Sequence, residues 1–509
     1  ASGARAPRDP AIDRQAVAGN LAWAALSFAL GKLAALASLI LLARLLTPRA
    51  FGAVTIVLTA VTFLEVAGRV GLNTALIYQP ADAGADGIAP AADAVFWFWM
   101  ATACLEAVAA WLGAPAVAAF FRQPLVTPML RVMAPALLVT ALGATHDTLL
   151  RRALRFRKKL APDLGLALAK AGASVALALA HWGAWSLIGG QWAGAVAGTA
   201  LLWWVVPWRP RRRWAPLLAR QLLAYGKHIY ALDLSGIVLA NLDYLVVARM
   251  LGATALGFYY LAFRLPEALL ISVLNVITGV VFPAFSRLHA DPPRLRAAVL
   301  ETERYAVLFA LPMAAALALL ARPLVLAFYG RHWLPAVPVL QVLALYAAIR
   351  CLSHHFGDAY KALGKPQILS ALTVVWWLLL PPALVLGARW DGLVGVAWGQ
   401  VATRAAMTAV HFVLIVRVVG IAPGRLARAL APALEGTLAL AMAILAVRPL
   451  AAPLPAWPAL LLPAGAGAAA YGLLLWLRHR EVCLGAWLVT RELLARRGIR
   501  VAGSGHASA

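Results

Sequence analysis

Leu41–Val54 reads LLARLLTPRAFGAV, and Val246–Tyr259 reads VVARMLGATALGFY. At a constant offset of 205 the two stretches share Ala43/Ala248, Arg44/Arg249, Leu46/Leu251, Ala50/Ala255 and Gly52/Gly257, and most of the remaining pairs stay apolar. A weaker match, at an offset of 210, pairs Pro128/Pro338, Leu130/Leu340, Val132/Val342 and Ala134/Ala344 in the same order. The first match joins spans 1–2 to spans 7–8, and the second joins span 4 to span 10. Two copies of one six-span unit are therefore expected. Six is even, so the copies share an orientation and relate by an axis along the membrane normal. Transporters built this way bind substrate between their halves.

The spans themselves come from composition. Of 509 residues, 63% are hydrophobic and 13% charged, with a mean hydropathy of +0.82. An ordinary soluble chain carries about 25% charged residues, and this sequence cannot cover a soluble fold of its length. A bilayer span needs roughly 20 apolar residues. Fourteen runs qualify: 19–46, 51–77, 92–112, 125–149, 161–181, 184–206, 225–251, 255–282, 305–328, 335–356, 367–387, 392–416, 429–447 and 457–477. The fold class expected is all-α, a polytopic membrane protein of about fourteen transmembrane helices in two pseudo-symmetric six-helix lobes plus two C-terminal helices. Its divisions are a cytoplasmic N-terminal segment (1–18), an N-lobe (19–220), a C-lobe (221–420), helices 13–14 (421–480) and a cytoplasmic basic tail (481–509). The chain opens without Met, so a short preceding piece is expected.

The net charge of +25 would point to nucleic acid in a soluble protein. Here the basic residues cluster between apolar runs, which is the mark of cytoplasmic loops. With the N-terminus inside, inward segments hold 30 Lys/Arg and outward segments 7. That asymmetry places both termini in the cytoplasm, although the inward loop 78–90 carries Asp82 and Asp86 and no base. Trp203–Trp204 and Trp376–Trp377 lie near span ends or within spans, and those at ends read as interfacial anchors. The tail over 481–497 alternates apolar and basic residues at helical spacing, either a surface-lying or a solvated helix. The three cysteines, Cys104, Cys351 and Cys483, show neither metal spacing nor a disulfide framework.

Eight bases fall within spans: Lys32, Arg69, Arg131, Lys170, Arg264, Arg322, Arg350 and Arg404. The acids well inside are Glu65, Glu106, Asp233, Asp243 and Glu267. Each costs at least ~2.5–3.5 kcal/mol at a helix centre, so it faces a partner or a wet cavity. Glu65/Arg69 and Arg264/Glu267 stand four and three residues apart and can neutralise each other on one helix face. No acid stands three or four residues from Lys32, Lys170 or Arg404 in the sequence, and Asp233, Asn241 and Asp243 crowd span 7. Eight cations against five anions make the interior net positive, suited to an anionic substrate. There is no GxxxxGK[ST] phosphate loop. The adjacent His354 and His355 cannot face one metal from a helix. No cofactor is expected.

Several stretches together resemble the polysaccharide-transporter family of lipid-linked oligosaccharide flippases, within a superfamily that includes multidrug extruders and lipid II flippases. They are FGAVTIVLTAVTFLEVAGRVGLNTALI at 51–77, LLRRALRFRKKLA at 149–161, NLDYLVVARMLGATALGFYYLAFRLPEAL at 241–269, FPAFSRL at 282–288, YGRHWLPAVPVLQVLAL at 329–345 and KALGKP at 361–366. The resemblance covers roughly 15–420. It implies a bacterial inner-membrane exporter of polyprenyl-pyrophosphate-linked sugar units for O-antigen, capsule or exopolysaccharide, working by alternating access. It implies membrane lipid as surroundings, polysaccharide polymerase and glycosyltransferases as partners, and no nucleic acid. The type of role carries over, a cationic cavity for the pyrophosphate, onto Lys32, Arg69, Lys170, Arg264 and Arg404. Asp233 and Asp243 are candidates for ion coupling. A cation-coupled drug exporter and a lipid II-type flippase of the same superfamily stay open. A membrane glycan polymerase would need a long outward loop, and the loops here are short.

Overall fold

The computed structural model describes residues 14–68, 76, 84–211 and 216–481, with side chains over 29–66, 76, 89–211, 234–274, 278 and 281–481. Among the described residues all regular structure is helical. In chain order the helices are α1 (Arg14–Leu45), α2 (Pro48–Gly68), α3 (Gly84–Phe121), α4 (Val126–Arg152), α5 (Phe156–Leu179), α6 (Trp185–Val205) and α7 (Pro216–Pro266). They continue as α8 (Ser272–Arg287), α9 (Pro292–Leu319), α10 (Ala321–Phe328), α11 (Ala336–Cys351), α12 (Phe356–Ala362), α13 (Gln367–Leu414), α14 (Pro423–Ala451) and α15 (Ala456–Arg478). A π-helical turn, Glu267–Ile271, links α7 to α8. Ten stretches among the described residues are long and apolar enough to cross a bilayer. The chain divides into two compact units, Ala1–Gly257 and Phe258–Ala509.

Helix ends follow local chemistry. Thr47 caps α2, its hydroxyl accepting from the Ala50 amide at 3.3 Å, with Pro48 as the first helical residue, where its missing N–H costs nothing. Asp291 caps α9 in the same way, accepting from the Arg294 amide at 3.1 Å ahead of Pro292. Two long helices are really pairs. The helix over 216–266 breaks at Gly252 (φ 87°, ψ 175°), and that over 367–414 breaks at Asp391 and Gly392 (φ 52°, ψ −124°). Both glycines hold positive φ, a region side-chain-bearing residues rarely enter. The run expected as one span over 305–328 is likewise two helices, α9 and α10, parted at Leu320 (φ −100°, ψ 11°). Pro323 accounts for the break: it offers no amide to the carbonyl four residues back, and its ring crowds that carbonyl. The run over 335–356 ends as a helix at Cys351. The C-terminal part of the run over 51–77, loop 78–90 up to residue 83, and the tail from 482 lie outside the described residues.

Both units are apolar on the outside. Leu105 and Trp204 of the first are 71% and 79% exposed, and Leu378 and Leu450 of the second 69% and 77%. Meanwhile Thr145, His146 and Ser186 of the first and Glu303, Ser353 and His355 of the second are buried. In water that arrangement would be an aggregation hazard; in lipid it is the stable one, because the tails solvate apolar side chains and every polar group must be met within the protein.

Close helix packing runs through small residues. In the first unit Gly190, Gly194 and Gly198 of α6 form a stripe at four-residue spacing against α5. A Cβ at Gly194 would lie 2.9 Å from the Lys170 Cβ, and one at Gly198 would lie 3.0 Å from Leu166. Within α13 the two limbs meet at Gly387 and Gly395, where a Cβ on either would fall 2.6–2.7 Å from the other's carbonyl carbon. The turns of the sequence repeat also meet. A Cβ at Gly52 would lie 2.6 Å from the carbonyl carbon of Ala253, and a Cβ at Gly257 2.7 Å from that of Pro48. Ala253 is Pro48 displaced by 205, and Gly257 is Gly52 displaced by 205, so the contact is reciprocal. Burial repeats as well: Ala43 and Ala248 are buried, Arg44 and Arg249 exposed, Gly52 and Gly257 buried.

Candidate functional sites

In the first unit, α2–α6 enclose a cavity of about 570 Å³. Its charged lining is Glu65, Glu106, Asp147, Asp163, Arg151 and Lys159, with Trp99 and Thr199 on its walls. At its basic end Asp147 takes Arg151 at 2.6 Å and also binds Lys159, which reaches Asp163 at 2.8 Å. The ammonium of Lys159 is thus held between two carboxylates. Among the described residues its lining holds four carboxylates and two cations, an acidic balance and the reverse of the net-positive interior expected from the whole-chain count. Of the singled-out cations with described side chains, Lys32, Lys170, Arg264 and Arg404, none lines it. Beside it, buried His146 stacks on Trp203 at 4.8 Å and meets Trp208 edge-on at 5.2 Å. Trp203 donates to the Leu142 carbonyl at 2.9 Å, so of the Trp203–Trp204 pair one turns inward to α4 and only Trp204 faces outward.

The singled-out residues distribute as follows. Lys32 on α1 is half-buried and Lys170 on α5 is exposed, its stem against the glycine stripe of α6. Asp243 on α7 is buried, and its carboxylate accepts from the Tyr244 amide at 2.9 Å. Asp233 lies on the same helix, but its side chain, like Arg69 as a whole, is outside the described residues. Arg264 pairs with Glu267 at 2.7 Å and lies over the Tyr260 ring at 4.6 Å. Arg404 on α13 is buried, with its guanidinium 4.3 Å above Trp376 and 5.8 Å from Tyr346. Aromatic faces take the place of a carboxylate for this cation. Trp376, within its span, is thus the bed of a buried cation.

The second unit holds further buried polar groups. The Ser353 and Thr408 hydroxyls meet at 3.3 Å. Asp358, buried, accepts from Lys361 at 2.9 Å. Tyr360 stacks on His411 with ring centroids 5.9 Å apart. Deepest are Glu303 of α9 and His355 of the turn after α11, with Nδ1 and Oε2 3.7 Å apart. No local spacing marks them in the sequence, since 52 residues separate them. Among the described residues no three His, Cys, Asp or Glu side chains stand together as a metal would require.

An all-helical protein with lipid-compatible outer faces and buried polar clusters is a multi-pass membrane protein. Residues 41–338 match the model of a polysaccharide biosynthesis protein family, and the chain belongs to that family. Among curated relatives it is 29% identical over 385 residues to the succinoglycan biosynthesis transport protein ExoT of Rhizobium meliloti, covering 74% of this chain and 75% of that one. It is 24% identical to the lipopolysaccharide biosynthesis protein WzxC of Escherichia coli, over 76% and 78% of the two chains. With the teichuronic acid biosynthesis protein TuaB of Bacillus subtilis the identity is 23%, over 66% and 69%. Among solved structures it shares the fold of the lipid II flippase MurJ in an inward closed conformation, with a TM-score of 0.70 and 11% identity over 90% of this chain and 99% of that one. An inward-facing multidrug resistance MATE family transporter follows, with a TM-score of 0.63 and 15% identity over 77% and 94%.

Proposed function

We propose that this chain is a flippase, a transporter rather than an enzyme, moving polyprenyl-pyrophosphate-linked oligosaccharide units across the bacterial inner membrane by alternating access. The observation that carries this reading is the family match, with relatives named for succinoglycan transport and for lipopolysaccharide and teichuronic acid biosynthesis. Fourteen spans in two six-helix lobes plus two helices fit the ten long apolar stretches once those broken at Gly252 and Gly392 are each taken as two, with α1 and α6 added. The asymmetry of Lys and Arg supports cytoplasmic termini. In this reading the cations Lys32, Arg69, Lys170, Arg264 and Arg404 take the pyrophosphate, Asp233 or Asp243 serves ion coupling, and the lipid tail stays in the bilayer. Polysaccharide polymerase and glycosyltransferases act before and after it.

The test is deletion of the gene followed by analysis of lipid-linked sugars. A lipid-linked oligosaccharide should accumulate on the cytoplasmic face, and Lys32→Ala or Arg404→Ala protein, present and folded, should restore export poorly. Full export by both variants would remove the cationic role. The acidic balance of the first unit's cavity favours a second reading, a cation-coupled drug exporter. That reading requires the deletion strain to become drug-susceptible with no sugar intermediate accumulating.

A further inference from the structure

Glu303 and His355 are 0% and 1% exposed. Neither carboxylate oxygen of Glu303 and neither ring nitrogen of His355 has a hydrogen-bond partner among the described residues. The polar groups nearest Glu303 belong to His355: its ring, with Nδ1 3.7 Å from Oε2, and its backbone N–H. A carboxylate so poorly supplied with donors in a buried site is a costly state for a side chain. A proton resolves it, either on the carboxyl or on the imidazole as half of an ion pair. A movement of about 1 Å brings the two groups to hydrogen-bond distance.

We propose that Glu303 and His355 form a proton-binding site, taking up one proton from water and returning it as the protein changes conformation. On uptake a new O–H bond forms at Glu303, or a new N–H bond at His355, and the charge of the pair rises by one. Transfer within the pair breaks the N–H bond of Nδ1 as the O–H bond of Oε2 forms, with no net change. On release the proton returns to water. The surroundings make the pair sensitive to small movements. Cys351 of α11 lies within electrostatic reach of Glu303, and the His354 ring lies 5.0 Å from that of His355; Arg350 of α11 and Arg404 of α13 act in turn on Cys351 and His354. Arg425 and Arg428 of α14, which also packs on α9, instead share a surface cleft with Glu301 and Arg304. The pair sits on α9 and the turn between α11 and α12, so any shift of these elements changes its separation and with it the affinity for the proton. This site is distinct from Asp233 and Asp243, and its use in driving export rests on the flippase reading above.

Infrared difference spectroscopy of the full-length protein in phosphatidylethanolamine–phosphatidylglycerol vesicles, titrated with pH, tests it without any glycan substrate. A protonated-carboxyl C=O band should appear and vanish with pH, be lost in Glu303→Gln, and have its midpoint displaced by about one pH unit or more in His355→Gln, because removing a charge partner shifts a titration by that amount. A band that does not titrate, or one that persists in Glu303→Gln, overturns the proposal, as does an unmoved midpoint in His355→Gln. If Glu303→Gln fails to fold, the His355→Gln midpoint decides alone. A titrating pair in a strain with no accumulated sugar intermediate would refute the flippase reading and leave the proton site standing. The converse result would do the opposite.

Discussion

Replacing Gly52 with alanine puts a methyl group where the carbonyl of Ala253 lies. The new Cβ would sit 2.6 Å from that carbonyl carbon, against an optimum of about 3.5–4.0 Å for carbon pairs. The backbones at 48–52 and 253–257 must therefore part by about 1 Å. Overpacking of this kind costs about 1–3 kcal/mol, and more where backbone rather than a side chain must yield. Gly257→Ala meets the same obstacle at Pro48 and should cost a similar amount. The reciprocal geometry adds a sharper expectation. Once one methyl has opened the gap, the second enters space already made, so the double variant should cost less than the sum of the two single ones. Coupling of 0.5–3 kcal/mol is the range for residues sharing a contact. Thermal unfolding in detergent, followed by circular dichroism, reads this as a fall of about 2–4 °C per kcal/mol. Single variants with unchanged unfolding temperatures, or a double variant showing the plain sum, would refute the reasoning.

Two further expectations concern buried charge. Trp376→Ala removes the face that Arg404 lies on at 4.3 Å; a desolvated cation–π contact of about 2 kcal/mol should be lost. Arg404→Ala combined with it should be strongly non-additive in the same unfolding assay. In the first unit, Asp147→Asn loosens Lys159, whose side chain is only 14% exposed, and should cost about 1.5–3 kcal/mol as a lost charged hydrogen bond. Asp163→Asn, at a more exposed carboxylate, should cost clearly less; equal effects would contradict the geometry.

Much of this architecture is legible because lipid simplifies the code. Apolar runs of sufficient length must be helices, and the breaks at Gly252 and Gly392 fall between runs separated in the sequence alone. The five identities between 41–54 and 246–259 include the two glycines that make the reciprocal contact. The division at Leu320 was also written, in Pro323, but the surrounding apolar run masks it. The polar interior is another matter. Arg264 and Glu267 can be paired by counting along a helix. Trp376 under Arg404, Asp147 holding Lys159, and Glu303 beside His355 cannot, since each joins different helices or distant turns. A whole-chain tally of charge likewise hides its distribution: where that tally predicts a net cationic interior, the described lining of the first unit's cavity holds more carboxylates than cations.

The meeting of Gly52 with Ala253 and of Gly257 with Pro48 bears on ancestry. A contact in which residue i of one copy touches residue j of the other, and j touches i, is the form of a twofold interface between identical subunits. Residues 48–52 are thus shaped to meet a duplicate of themselves. Neither glycine can drift freely while the backbone of the other turn occupies the place of its missing side chain.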